Sequence, residues 1–265
     1  MKRLLLHSSV LAALLAMAAT AAAAQEAEAP VFSPDRPGSV DTREVVGRSV
    51  VEIESGLSRV SLSDGETALT APQMLVRVGV GNRLELRAGG DGFVFGAEAP
   101  GARPTASRAD TFVGAKLTLF AHEHAGIQVA VLPSLTMPTG GDGLSAHRWN
   151  PGVRVAFGRE LPADLDLAAT LGVARHSDAH DAVTQRSASV GLSRRLSSAI
   201  SGFLETTVAS SIGEGREWEY EGGIAARVGA NVQLDAALLR GITAAAPDWG
   251  VSVGLVVRRL PAGRH

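Results

Sequence analysis

Arg83-Leu84-Glu85-Leu86-Arg87-Ala88 alternates charge and hydrocarbon residue by residue, with Leu84, Leu86 and Ala88 on one side and Arg83, Glu85 and Arg87 on the other. Two is the side-chain period of a β-strand, so this stretch reads as a strand with one apolar and one polar face. Just upstream, Gly79 to Asn82 makes a tight connection to a preceding run of the same kind. Moving outward, Val51 and Ile53 stand against Glu52 and Glu54. Val113, Ala115, Leu117 and Leu119 oppose Phe112, Gly114, Lys116 and Thr118, and Val153, Val155 and Phe157 oppose Gly152, Arg154 and Ala156. Near the C-terminus Val232, Leu234, Ala236 and Leu238 alternate with Gln233, Asp235 and Ala237, and Val251, Val253, Leu255 and Val257 with Ser252, Gly254, Val256 and Arg258.

About twelve such segments follow one another, centred near residues 53, 76, 86, 115, 130, 154, 169, 190, 206, 224, 235 and 254. Their connections alternate in length. Short ones fall at Gly79 to Asn82, Ala121 to Ala125, Arg159 to Ala163, Leu196 to Ala199 and Gly229 to Ala230. Long ones fall at Ser58 to Pro72, Gly90 to Arg108, Pro138 to His147, His176 to Thr184, Ile212 to Arg216 and Ile242 to Asp248. A meander with tight turns on one rim and longer loops on the other is the layout of an outer-membrane barrel. The expected fold is therefore all-β, an antiparallel up-and-down transmembrane β-barrel. An even strand count puts both chain ends on the tight-turn rim, the periplasmic side of such barrels.

Composition agrees with export. Lys2 and Arg3 precede an apolar run from Leu4 to Ala19 and small residues from Ala21 to Ala24, so residues 1–24 read as a cleaved signal peptide. Residues 25–48 form a polar, Pro-containing lead-in centred on Ser33-Pro34-Asp35-Arg36-Pro37-Gly38, expected to be irregular. The barrel is assigned to 49–260 and a short tail to 261–265. With no cysteine, disulfides, thiolate metal sites and cysteine nucleophiles are all excluded. A net charge of -2 gives no basis for binding nucleic acid.

The polar face of the strands carries Glu52, Glu54, Arg77, Glu85, Arg87, Lys116, Arg154, Asp166, Glu205, Arg227, Asp235 and Arg258, separated by Gly, Ala, Ser and Thr. Small spacers beside charges of both signs suit a crowded, hydrated interior, and these twelve are the candidate lumen-lining residues. Trp149, Trp218, Tyr220 and Trp249 each follow a long connection, as half of an interfacial aromatic girdle would. Chemistry is harder to find. His122 with His124, and His176, Asp178, His180 and Asp181, are the mixed donor groups, and an exposed turn or loop explains both. Pro138-Thr139-Gly140-Gly141-Asp142-Gly143 lacks the Lys-Ser/Thr pair of a phosphate loop. No G-x-S-x-G elbow occurs, so neither catalytic residues nor a metal or cofactor are expected.

Several segments resemble one family, the outer-membrane transporters grouped under the MetA pathway of phenol degradation. They are Ser33 to Pro37, Val51 to Gly56, Leu75 to Arg87, Gly114-Ala115-Lys116, Leu135 to Gly140, Gly222-Gly223, Asn231 to Asp235, and Pro247-Asp248-Trp249 leading to Gly254-Leu255. The resemblance implies an outer-membrane channel or transporter for small, hydrophobic or aromatic compounds, with no defined active site. Its expected partners are outer-membrane lipid, the barrel-assembly machinery and the solute itself; the oligomeric state is left open. Two other classes compete with this reading: an outer-membrane lipid-modifying enzyme, and a periplasmic β-barrel binding protein. At about twelve strands the interior lies between side-chain-filled small barrels and open porins, so a narrow or gated path is expected.

Overall fold

The computed structural model describes residues 32–62, 65–97, 105–141, 144–145, 147–177, 182–211 and 215–261. The signal-peptide assignment, and Gly143, Asp178, His180 and Asp181, lie outside them. Among the described residues fourteen strands form one antiparallel sheet: β1 (Val51–Ser61), β2 (Thr67–Gly79), β3 (Leu84–Gly90), β4 (Phe93–Ala97), β5 (Thr105–Arg108), β6 (Thr111–His122), β7 (Ile127–Met137), β8 (Asn150–Leu161), β9 (Leu165–Ser177), β10 (Ala182–Arg195), β11 (Ile200–Ser211), β12 (Arg216–Arg227), β13 (Val232–Gly241) and β14 (Trp249–Arg259).

Except around β3 to β6, neighbours in sequence pair as hairpins, and β1 pairs with both β2 and β14, so the sheet closes. The closed wall has twelve lanes. β2 pairs with β3 through Met74–Gly79 and with β4 through Thr67–Ala71. β3 in turn pairs with β6, and β4 with β5. Thus β3 with β4, and β5 with β6, each share one lane. The lane breaks where Pro72 of β2 has no N–H to donate and Gly92 turns through a φ of 60°.

Three of the long connections are shorter than the sequence indicated: His176 to Thr184 loses both its ends to β9 and β10, and two others change more. Gly90 to Arg108 contains β4 and β5, and β1 and β2 stay paired up to Ser61 and Thr67. Both segments are rich in Gly, Ala, Thr and Ser and lack a clear alternation, yet a neighbouring strand supplies ladder partners and extends the hairpin regardless.

Burial is inverted relative to a soluble protein. Leu171 is 64% exposed and Leu238 68%, while Arg77 and Lys116 are completely buried. Ile53, Leu86, Val153, Val190, Leu204, Ile224 and Leu255 join the exposed apolar set. Glu52, Glu54, Glu85, Glu205 and Asp235 are buried on the opposite parity of their strands. A closed ladder satisfies every backbone group in the wall, and an outward hydrocarbon belt suits lipid as solvent. Arginine placed at the middle of that belt, as in Leu171→Arg, is expected to cost about 2–4 kcal/mol. Urea unfolding in lipid vesicles measures it.

Candidate functional site

Residues 32–50 form neither helix nor strand; they occupy the inside of the barrel. Without a repeating backbone ladder of their own, their polar groups are satisfied largely by wall side chains. The segment starts at the tight-turn rim. There the Phe32 ring lies under the Arg258 and Arg227 guanidinium groups, 4.6 and 5.6 Å from its centroid, and Arg227 donates to the Phe32 carbonyl at 2.8 Å. Further in, the Asp35 and Arg36 amides donate to the Glu54 carboxylate at 3.1 and 2.9 Å. The Arg36 guanidinium reaches Asp235 at 3.1 Å and Gln73 at 3.4 Å. Beyond the apex, the Ser39 and Val40 amides donate to Glu205, and the Asp41 amide donates to Thr170 at 3.0 Å. The chain then folds back on itself: the Thr42 amide donates to Asp35 at 2.9 Å and the Ser33 hydroxyl to Glu44 at 3.0 Å. Arg43 pairs with Asp166 at 2.6 Å, and the Val46 amide donates to Glu85 at 2.8 Å before the chain enters β1. The lead-in is a loop pushed into the lumen from the tight-turn side.

One patch of wall binds it most densely. Arg77 pairs with Glu52 at 2.8 Å, Glu85 at 2.9 Å and Glu54 at 3.2 Å, and donates to the Ser33 and Glu44 carbonyls at 3.0 Å each. Sheet register sets this up: Glu52 is directly opposite Arg77, while Arg77 is opposite Arg87 and Glu85 opposite Lys116. Two arginines facing each other across a ladder repel. With Glu52 and Glu54 both on Arg77, the wall leaves Arg87 and Lys116 only distant contacts to Glu85, at 3.8 and 4.0 Å. Asp35 of the loop fills that deficit, 2.6 Å from Arg87 and 3.1 Å from Lys116. Burial alone would push the Asp35 carboxyl up, but Arg77, Arg87 and Lys116 together hold it well below the usual carboxylate range.

The twelve charges named from the sequence thus fall into three groups. Glu52, Glu54, Arg77, Glu85, Arg87 and Lys116 meet in one network on β1, β2, β3 and β6. Arg154, Asp166, Glu205 and Asp235 are separated from one another, each reached by the loop, Arg154 through Asp41 at 3.1 Å. Arg227 and Arg258 flank Phe32. The loop's own Asp35, Arg36, Asp41, Arg43 and Glu44 were not anticipated. Their available signal was the mixture of signs in Asp35-Arg36 and Asp41-Thr42-Arg43-Glu44 next to a mixed-sign wall.

The loop divides the interior. A cavity of about 1100 Å³ lies toward the long-loop rim, bordered by Phe112, Leu75, Arg154 and Leu144. Another of about 570 Å³ lies on the side of the 162–164 and 196–199 turns. Asp35, Arg36, Gly38 and Val40 border both. On the outside, Trp149, Trp218, Tyr220 and Trp249 are all exposed near the long-loop rim, Trp218 and Tyr220 with ring centroids 6.2 Å apart. Phe93 and Phe95, on a segment expected to be loop, are also exposed, with ring centroids 6.3 Å apart. Among the described residues no group of three or more His, Cys, Asp or Glu could hold a metal. His122 and His124 sit exposed at a tight turn with ring centroids 6.2 Å apart.

The burial contrast separates two arginines. Arg77→Met, which removes the guanidinium that the buried Glu52, Glu54 and Glu85 carboxylates share, is expected to cost about 3–5 kcal/mol. Arg154→Ala, at a side chain 41% exposed, is expected to cost under about 1 kcal/mol. Equilibrium unfolding in urea compares them.

The barrel is similar to the COG4313 outer membrane channel from Pseudomonas putida F1, with a TM-score of 0.62 and 15% identity over 84% of this chain and 99% of that one. It is also similar to the NanC porin (TM-score 0.54, 10% identity, 79% of this chain and 100% of that one). The KdgM porin in complex with disordered oligogalacturonate gives a TM-score of 0.54 at 10% identity, over 78% of this chain and 98% of that one. At these identities the likeness is one of fold. No curated protein matches the chain significantly. The family model described as "Putative MetA-pathway of phenol degradation" matches residues 34–258, nearly the whole of the barrel and its internal loop, and the chain belongs to that family.

Proposed function

We propose that this protein is an outer-membrane channel for small solutes whose path is closed by its own N-terminal loop. The observation that carries the reading is the pair of cavities, one toward each rim, divided by Asp35, Arg36, Gly38 and Val40 inside a barrel with an apolar outer belt. In this reading Glu52, Glu54, Arg77, Glu85, Arg87, Lys116, Arg154, Asp166, Glu205, Arg227, Asp235 and Arg258 line the lumen and hold the loop. Residues 1–24 direct export, the assembly machinery inserts the barrel, and Trp149, Trp218, Tyr220 and Trp249 anchor it at the lipid headgroups.

Membership of a phenol-degradation family supports a small hydrophobic or aromatic solute. Phe112 and Leu75 in the larger cavity offer such a solute apolar contact beside the charged loop. Passage requires the loop to shift, because its ion pairs span the lumen from Arg87 on one wall to Asp166 on another. Apart from Ser49 and Val50, whose backbone bonds to Gly79 at the entry to β1, the loop takes no part in the wall's hydrogen-bond ladder, so displacement of residues 32–48 leaves the barrel intact.

Asp35→Asn removes the charge shared by Arg87 and Lys116 and is expected to raise single-channel conductance in planar bilayers, with a smaller drop in the urea midpoint than Arg77→Met gives, because the freed loop lets water reach both cations. Extraction should require detergent, and mobility on gels should depend on heating. Recovery of the mature chain as a soluble periplasmic protein, or a conductance unmoved by Asp35→Asn, overturns the proposal.

A further inference from the structure

Eleven of the twelve lane-to-lane contacts join stretches that are close in sequence; the seam between β1 and β14 pairs Val51 with Arg259. Closing it carries the largest loop entropy in the fold, and nothing in the length of a hairpin turn sets its register. Arg36 lies across this seam. It pairs with Asp235 of β13, its amide donates to Glu54 of β1, and its guanidinium donates to Gln73 of β2. Gln233 of β13 donates to its carbonyl at 3.3 Å. Between those anchors the guanidinium rests on Gly56 and Gly254, where a Cβ on either would overlap it. Gly56 and Gly254 are directly opposite each other in the ladder.

That coincidence exists in one register only. A slip of two residues keeps the same faces inward but brings Val256 or Ser252 opposite Gly56 and destroys the flat seat. We infer that Arg36 is a register-selecting clamp: it holds the first and last strands together and fits only when the barrel has closed correctly. The inference concerns assembly and is independent of which solute the channel carries. Arg43 provides an internal comparison, since its partners Asp166 and Glu160 lie on β9 and β8, across the lumen from the seam.

The chain contains no cysteine, so an introduced pair reports without background. Ser58 and Ser252 are opposite each other across the seam, and a two-residue slip brings Gly250 opposite Ser58. The mature chain carrying Ser58→Cys with Ser252→Cys, or Ser58→Cys with Gly250→Cys, is refolded from urea into detergent micelles and treated at intervals with a short bifunctional thiol reagent. Arg36→Ala is expected to slow formation of the Ser58–Ser252 cross-link about tenfold, through loss of charge-assisted contacts made as the seam closes, and to raise the Gly250 cross-link. Gly254→Ala, which keeps the charge but spoils the seat, should act in the same direction, and Arg43→Ala should leave both cross-links at the parent rate. If Arg36→Ala prevents closure altogether, Gly254→Ala is compared with Arg43→Ala in its place. Equal rates for the Gly254 and Arg43 variants and the parent, or equal slowing by both, overturn the clamp.

Discussion

Arg77 brings a guanidinium into a space that already holds Glu52, Glu54 and Glu85, with no exposure to solvent. An ion buried in this way is tolerated only when opposite charge and hydrogen-bonding groups surround it, because its desolvation costs several kcal/mol. The wall alone does not complete that arrangement. Its three carboxylates crowd toward Arg77, leaving Arg87 and Lys116 underserved, and Asp35 of the N-terminal loop supplies the missing charge. Loop and wall therefore need one another, and the position of the loop follows from the charge pattern of four neighbouring strands.

A division of labour results. The hydrogen-bond ladder and the outer hydrocarbon belt make the barrel persist in lipid, and the loop meets the ladder only at its end, where Ser49 and Val50 bond to Gly79. Ion pairs hold the loop, and ion pairs can exchange partners with water or solute at modest net cost, since the attraction they gain and the hydration they forfeit largely cancel. In the channel proposed above, such an arrangement closes a passage that can reopen. Glycines serve it by absence: Gly56 and Gly254 leave room for Arg36, so a strand-weakening residue in the wall becomes a seat for the loop.

Much of the wall was legible from side-chain period. Glu85, Leu86 and Arg87 alternate as the pleat requires, and the twelve expected segment centres correspond to the twelve lanes of the closed sheet. The stretch from Gly90 to Arg108 was not legible as strand, because Phe93–Ala97 and Thr105–Arg108 are held by pairing with each other and with β2 rather than by alternation of their own. Parity puts the charged wall residues in one set but says nothing of a network. Which carboxylate meets which guanidinium depends on register between strands, and a register is a relation between two segments that neither contains.

By itself the sequence determined which residues of the twelve alternating segments share a face. A period of two assigns parity, and an apolar row beside a row of charges set among small residues can persist in lipid only as a closed barrel with the charge inside. The place of residues 32–50 was decided only by tertiary structure. Their sequence carries no period, only prolines and charges of both signs, and such a segment has no preferred partner until a barrel presents fixed counter-charges at fixed spacing. Arg36 meets Asp235 across 199 positions of chain. No local pattern encodes a contact of that kind, because the seat beneath Arg36 exists only once the two ends of the sheet have met.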